Sequence, residues 1–298
     1  MAAVTFAALA ALVATLPVGA AHAAITVVDD AGTTVTLVAP ARRIVSLAPH
    51  ATELIFAAGA GDRLAAVVAG SDWPPAARAL PRIGDAHAID LERIIALEAD
   101  VVVTWPYTTP AQVAQLRARG VAVVVTDPKT IDGIAVALER IGTLAGTQAR
   151  ARDAAAAFRA HLARVQRARS RAQRIRVFYE IWDSPLYTIG GRHLITQALD
   201  VCAADNVFAA LTTPAPVVGV EAVLAAAPDA IVAATDGAVP PAWLDAWRRW
   251  PQLPATRYGN FATVDADLLH RPGPRFADGV EALCVAIDAL RARTGSTP

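Results

Sequence analysis

Hydrophobic and polar positions along this chain follow two periods that take turns. Short β-branched runs bounded by turn residues occur at 43–47 (RIVSL), 64–69 (LAAVVA), 100–105 (DVVVTW) and 121–126 (VAVVVT). Between them, TELIFAAG, LERIIALE and PAQVAQLRARG place apolar residues every three or four positions. The second half repeats the scheme with IRVFYEI (175–181), AIVAAT (230–235) and FATVD (261–265), and with the helical candidates LITQALDVCAA, VEAVLAAA, AWLDAWRRW and ADGVEALCVAIDALRA. Such alternation predicts parallel strands with crossover helices, an α/β fold. ITVVDDAGTTVTLV, by contrast, alternates as a hairpin turning at Ala31 and Gly32.

Residues 147–174 break the rhythm. They contain no Gly or Pro, and Phe158, Leu162 and Val165 form one apolar stripe on an arginine-rich surface. This predicts a single stiff helix roughly 40 Å long rather than a flexible linker. Its position divides the chain into an N-terminal α/β lobe over 24–146 and a C-terminal α/β lobe over 175–298, each with a mainly parallel sheet. The two halves also share a phrase. DLERIIALEADVVVTW (90–105) recurs 129 positions later as GVEAVLAAAPDAIVAAT, with Glu92 and Glu221 in matching places. FAAGAGDRL from Phe56 is echoed by LDVCAADNV from Leu199. Two echoes in one order indicate pseudo-equivalent lobes, although alanine-rich sequence produces some similarity by chance.

Composition narrows the setting. Residues 1–23 have an apolar centre broken by Pro17 and small residues before a plausible cleavage point near Ala23 or Ala24, the pattern of a secretory signal peptide. Lys+Arg and Asp+Glu are equal at 27 each, which gives no electrostatic case for nucleic acid. An exported chain makes a disulfide between its two cysteines, Cys202 and Cys284, the expected state, with two unpaired core thiols as the alternative.

Ligands of parallel α/β sheets bind beyond the carboxyl ends of the strands. Those segments here hold His50, Trp73, Trp105, Tyr107, Trp182, Tyr187 and His270, an aromatic set suited to a large flat or apolar ligand. Trp243, Trp247 and Trp250, at helical spacing, read as packing. His50, His87 and His270 invite a metal reading, but no His/Cys cluster has zinc-like spacing, and no resident cofactor is expected.

Several motifs together resemble a known family. RIVSLAPHATELIFAAGAGDRLAAV, SDWPPAARALPRIGDAHAIDLERIIALEADVVVTW, VCAADNVFA and RPGPRFADGVEALC are similar to the periplasmic cobalamin-binding proteins of ABC importers, within the helical-backbone receptors that also take haem and iron siderophores. The resemblance runs from about Arg42 to Ala292. It implies two α/β lobes joined by a long helix, with ligand in the groove between them. It also implies docking on a membrane permease through one surface glutamate per lobe, at Glu92 and Glu221. Trp105 matches an aromatic that lines the corrin groove in the family, Trp73 replaces a tyrosine of its S-D-x-P-P motif, and Asp267 and Arg271 match polar residues that border the ligand. Gly70, Ala86 and Ala215 stand where large rings are expected, and Tyr107, Trp182 and Tyr187 are candidates to fill that space. His87, beside Ala86, is a candidate ligand for a metal carried by the bound molecule.

The expectation is therefore a periplasmic, monomeric, non-enzymatic receptor for cobalamin or a related corrinoid. Two alternatives stand beside it. One is a haem or ferric-siderophore receptor of the same fold, with Lys129, Arg192 and Arg271 the basic candidates for a siderophore and Tyr107 with His270 the candidates for haem. An exported hydrolase would need Ser46, Ser71 or Ser184 as nucleophile, though no G-x-S-x-G elbow surrounds any of them.

Overall fold

The structure, a computed structural model, describes residues 24–85, 88–235, 237 and 241–294. The expected signal peptide, 1–23, lies outside the described residues, as do Ala86 and His87. The described chain opens with an antiparallel hairpin of β1 (Ile25–Val28) and β2 (Thr34–Leu37). Its turn is closed by the Asp29 carboxylate, which accepts from the amides of Ala31 and Thr33, with Gly32 left-handed at φ 77°.

The first lobe follows as β3 (Ile44–Ser46), α1 (Pro49–Ala57), β4 (Leu64–Val67), α2 (Leu91–Ala96), β5 (Val101–Thr104), α3 (Pro110–Ala118) and β6 (Ala122–Val125). All four strands are parallel, in the order β4-β3-β5-β6. Each residue of β5 is buried, the burial expected of a central parallel strand covered on both faces. Two helices lead out of the lobe, α4 (Ile131–Ala145) and α5 (Gln148–Arg167), reversing at left-handed Gly146. They pack closely: a Cβ at Gly142 would lie 2.2 Å from that of Ala151.

The second lobe contains β7 (Ile175–Asp183), β8 (Leu186–Thr188), α6 (Leu194–Val201), β9 (Ala204–Asn206), α7 (Val220–Ala226), β10 (Ala230–Thr235), α8 (Pro254–Arg257), β11 (Phe261–Asp265), α9 (Ala266–Leu269) and α10 (Phe276–Thr294). Parallel pairings run β9-β7-β10-β11, matching β4-β3-β5-β6 position for position. The addition is β8, antiparallel to the carboxyl half of β7.

The connecting helix is shorter than the pattern predicts. It ends at Arg167; 168–171 form turns and 172–174 are irregular. No breaker residue ends it; side chains do. Arg169 folds back to donate to the Val165 carbonyl and to Asp288 on α10, while Arg174 bridges Asp200 and Asp205. The apolar stripe behaves as expected, with Phe158 and Val165 buried and Leu162 half-buried against a core shared by both lobes. The helix at 131–145, with eight buried residues, was not singled out by the strand–helix pattern, nor were the three-residue strands β8 and β9.

The repeated phrase is one structural unit used twice. Glu92 and Glu221 are each the second residue of a short helix, α2 and α7. Six positions later, Glu98 and Ala227 adopt left-handed φ of 46° and 41°, and two further on, Asp100 and Asp229 tie into the neighbouring strand. Asp100 accepts from the amides of Arg42 and Arg43, and Asp229 from that of Arg176. The aspartates therefore fix the starts of β3 and β7. Cys202 and Cys284 form a disulfide, with Cα atoms 4.7 Å apart, linking the end of α6 to α10 in the C-terminal lobe.

Candidate functional site

The carboxyl ends of β5, β6 and β11 border one cavity, about 290 Å³ in volume, between the lobes. The first lobe contributes His50, Trp105, Tyr107, Thr126 and Lys129; the second contributes Arg192, His193, Leu269 and His270. Of the aromatic residues expected there, the structure brings His50, Trp105, Tyr107 and His270 together. Trp105 packs against His50 at 5.6 Å between ring centroids and edge-on against Tyr107 at 4.6 Å. Tyr107 is exposed, so the wall ends in a ring that faces solvent.

The polar groups of this cavity are held in defined states. Burial lowers the His50 imidazole to about 4, outweighing the Thr126 carbonyl that faces its Nε2, so the ring is neutral at pH 7. Burial likewise lowers His193 to about 4. His193 caps α6 with Nδ1, accepting from the Ile195 amide at 3.1 Å, so its proton sits on Nε2. Tyr179 Oη and His270 Nε2 lie 3.1 Å apart, and burial raises the Tyr179 phenol far above its usual range. The buried Thr126 hydroxyl has no hydrogen-bond partner among the described residues.

Trp73, Asp267 and Arg271 lie apart from this cavity, in a clasp across the lobes. Arg275, just before α10, donates with Nε and Nη2 to both oxygens of buried Glu53 on α1, at 3.0 and 2.6 Å. Arg271 reaches Asp72 at 2.7 Å and Asp267 at 2.6 Å, while Trp73 covers the Arg275 guanidinium at 4.8 Å. Burial opposes ionisation of Asp72, but the Arg271 hydrogen bond overrides it and lowers that carboxyl below its usual value. Glu53 and Arg275 both fall inside the motifs that carry the family resemblance, yet sequence reasoning places neither in the site. The readable signal was a glutamate on the apolar face of ATELIF, which can be buried only with a cationic partner.

A second stitch crosses the lobes beside the cavity. Gln197 on α6 donates to the Lys129 carbonyl at 2.9 Å and accepts from the Ile131 amide at 3.0 Å. Trp182 and Tyr187 pair across the β7–β8 ribbon, off the cavity wall, with Trp182 exposed. The Trp247 indole, read as packing, is buried and donates to Glu180 at 2.8 Å. Ser46 and Ser71 are buried around Thr52, which donates to Ser46 Oγ and lies 3.1 Å from Ser71 Oγ. Glu92 and Glu221 are both exposed. Among the described residues, no cluster of three or more His, Cys, Asp or Glu is placed to hold a metal ion, and no helix is long and apolar enough to cross a membrane.

The model of the family described as "Periplasmic binding protein" matches residues 44–268. The chain belongs to this family. A vitamin B12-binding protein of Vibrio cholerae serotype O1 is 35% identical over 247 residues, covering 82% of this chain and 88% of that one. Among solved structures, the periplasmic vitamin B12-binding protein BtuF of Vibrio cholerae matches with a TM-score of 0.75 and 34% identity, over 84% of this chain and 98% of that one. The periplasmic heme-binding protein RhuT from Roseiflexus sp. RS-1 matches with a TM-score of 0.74 and 25% identity, over 84% and 99%. Parallel α/β sheets take ligands beyond the carboxyl ends of their strands, and the cleft at that place here is walled by Trp105 and Tyr107.

Proposed function

We propose that this chain is an exported receptor that captures cobalamin or a related corrinoid between its lobes and delivers it to the permease of an ABC importer. The observation that carries the reading is the cleft: an aromatic wall of Trp105 and Tyr107 facing neutral imidazoles. A flat ring with amide-bearing edges meets stacking surface and uncharged hydrogen-bonding groups there. The 34% identity to a vitamin B12-binding structure supports the same ligand class. In this reading Trp73, Asp267 and Arg271 border the bound ring through the clasp, and Trp182 and Tyr187 meet its periphery from the ribbon. His87 keeps its candidacy as a ligand to the bound molecule's metal. Residues 1–23 direct export, and the protein acts by binding, not catalysis.

Spectral titration of the mature protein with cyanocobalamin, dicyanocobinamide and haemin tests the ligand class. Tight corrinoid binding is expected, and binding of haemin alone would overturn it. The haem reading draws on the heme-binding structural relative at 25% identity and on His50 and His270 in the cleft.

Delivery rests on Glu92 and Glu221, one exposed carboxylate per lobe in the first turn of equivalent helices. Two charges on separate lobes fix orientation as well as affinity, because one pose satisfies both. Glu92→Ala combined with Glu221→Ala is expected to abolish uptake while binding in solution stays intact. Normal uptake by the double variant would sink the docking role.

A further inference from the structure

We propose that Arg192, His193 and Lys129 form an anion subsite at one end of the cleft, built for a single phosphodiester carried on the edge of the ring ligand. The inference rests on the corrinoid reading and names the part of the ligand that this corner recognises. Arg192 and His193 precede α6 in the second lobe, and Lys129 precedes α4 in the first. Gln197 holds the two segments together through the Lys129 carbonyl and the Ile131 amide. The basic groups thus come from opposite walls and border one cavity.

Their charge states select the guest. Lys129 is paired with Asp127, which also lines the cavity. Arg192 is exposed and has no ion-pair partner among the described residues. His50 and His193 are neutral, held down to about 4 by burial. His193 offers a neutral donor, because its Nδ1 is committed to the Ile195 amide and its proton remains on Nε2. Lys129, Asp127 and Arg192 together leave one net positive charge, carried by the group whose planar fork matches two oxygens of a phosphate. A phosphodiester brings one negative charge and two free oxygens. The phosphodiester of the nucleotide arm of cobalamin fits that balance. Haem, with two propionates, would leave a second carboxylate without a cation in this corner. Cobinamide, which has no phosphate, would leave Arg192 unused.

The deciding experiment is isothermal calorimetry of three ligands against three proteins. The ligands are cyanocobalamin, cobinamide phosphate and dicyanocobinamide; the proteins are wild type, Arg192→Ala and Lys129→Ala. Removing a charged hydrogen bond to the ligand is expected to weaken cyanocobalamin and cobinamide phosphate roughly tenfold or more in Arg192→Ala. Dicyanocobinamide should stay within about twofold of wild type, since it has no group for Arg192 to hold. Lys129→Ala should show the same ligand selectivity with a smaller loss. Equal weakening of all three ligands by Arg192→Ala, or no weakening of any, overturns the subsite while leaving the corrinoid reading intact. Wild-type protein that binds none of the three overturns both.

Discussion

The two lobes share a strand order but are filled by different chemistry. In the first, the outer core is aliphatic, with Val45, Leu47, Ile94, Val102, Leu116 and Val123 packed around the sheet. In the second, the equivalent face presents Ile231 and Ala233 to Phe178, Trp247 and Leu244. Small residues on β10 leave volume that rings fill, as close packing demands. The rings bring a polar handle with them, and the Trp247 indole finds its acceptor in the buried carboxyl of Glu180. The second lobe also carries β8 and the disulfide, neither of which has a counterpart among the described residues of the first. A duplicated topology thus preserves strand order, the left-handed residue after the helix and the strand-tying aspartate. Core volume is met independently on each side.

The disulfide offers the largest way to break the comparison. Replacing Cys202 and Cys284 by Ala releases a loop spanning 82 positions in the second lobe alone. The expected loss is roughly 4–5 kcal/mol in the chain-entropy model, read by urea denaturation under oxidising conditions. A loss below about 1 kcal/mol would show that the α6–α10 packing already supplies the constraint. Next is the clasp that joins the lobes. Glu53→Ala leaves Arg275 without its carboxylate in a mostly buried setting and is expected to cost about 3–5 kcal/mol. An unchanged urea midpoint would mean that water or Asp267 takes over the charge.

The lobe-specific carboxyl gives a pH signature. Burial raises Glu180 to about 8 from an ordinary value of 4.5, so the folded state holds a proton that the unfolded chain releases over that window. Stability therefore falls as pH rises from 4.5 towards 8. Glu180→Gln, which keeps an acceptor for Trp247, should gain about 4 kcal/mol at pH 8 and about 1 kcal/mol at pH 5. A pH-independent difference would remove the titration from Glu180. The smallest effects sharpen the duplication itself. Asp100→Ala frees two amides and Asp229→Ala frees one, so losses of about 2 and about 1 kcal/mol are expected, in that order. The reverse order would show that the two aspartates are not equivalent.

Most strands were legible because a parallel sheet buried on both faces needs unbroken β-branched runs, and VVVT and VAVVVT have no other use for them. Strands β8 and β9 were not, since three residues carry no period and exist only because β7 offers an edge to pair with. The end of α5 was misplaced for a related reason: nothing in 168–174 forbids a helix, but Asp288, Asp200 and Asp205 hold its arginines elsewhere. In the site, Trp105 and Tyr107 were found from their position after a strand, whereas His193 sits in GGRHL without any periodic cue.

The chain on its own determined the α/β class, the two halves, their stiff connection and the matched glutamates, because periodicity and repetition are properties of neighbouring residues. Only the folded molecule decided that Glu53 meets Arg275, that Arg271 is held by Asp72, and that Arg192 and Lys129 face one cavity across two lobes. Those pairs lie 63 to 222 positions apart, and Coulomb attraction and burial act through space, not along the sequence.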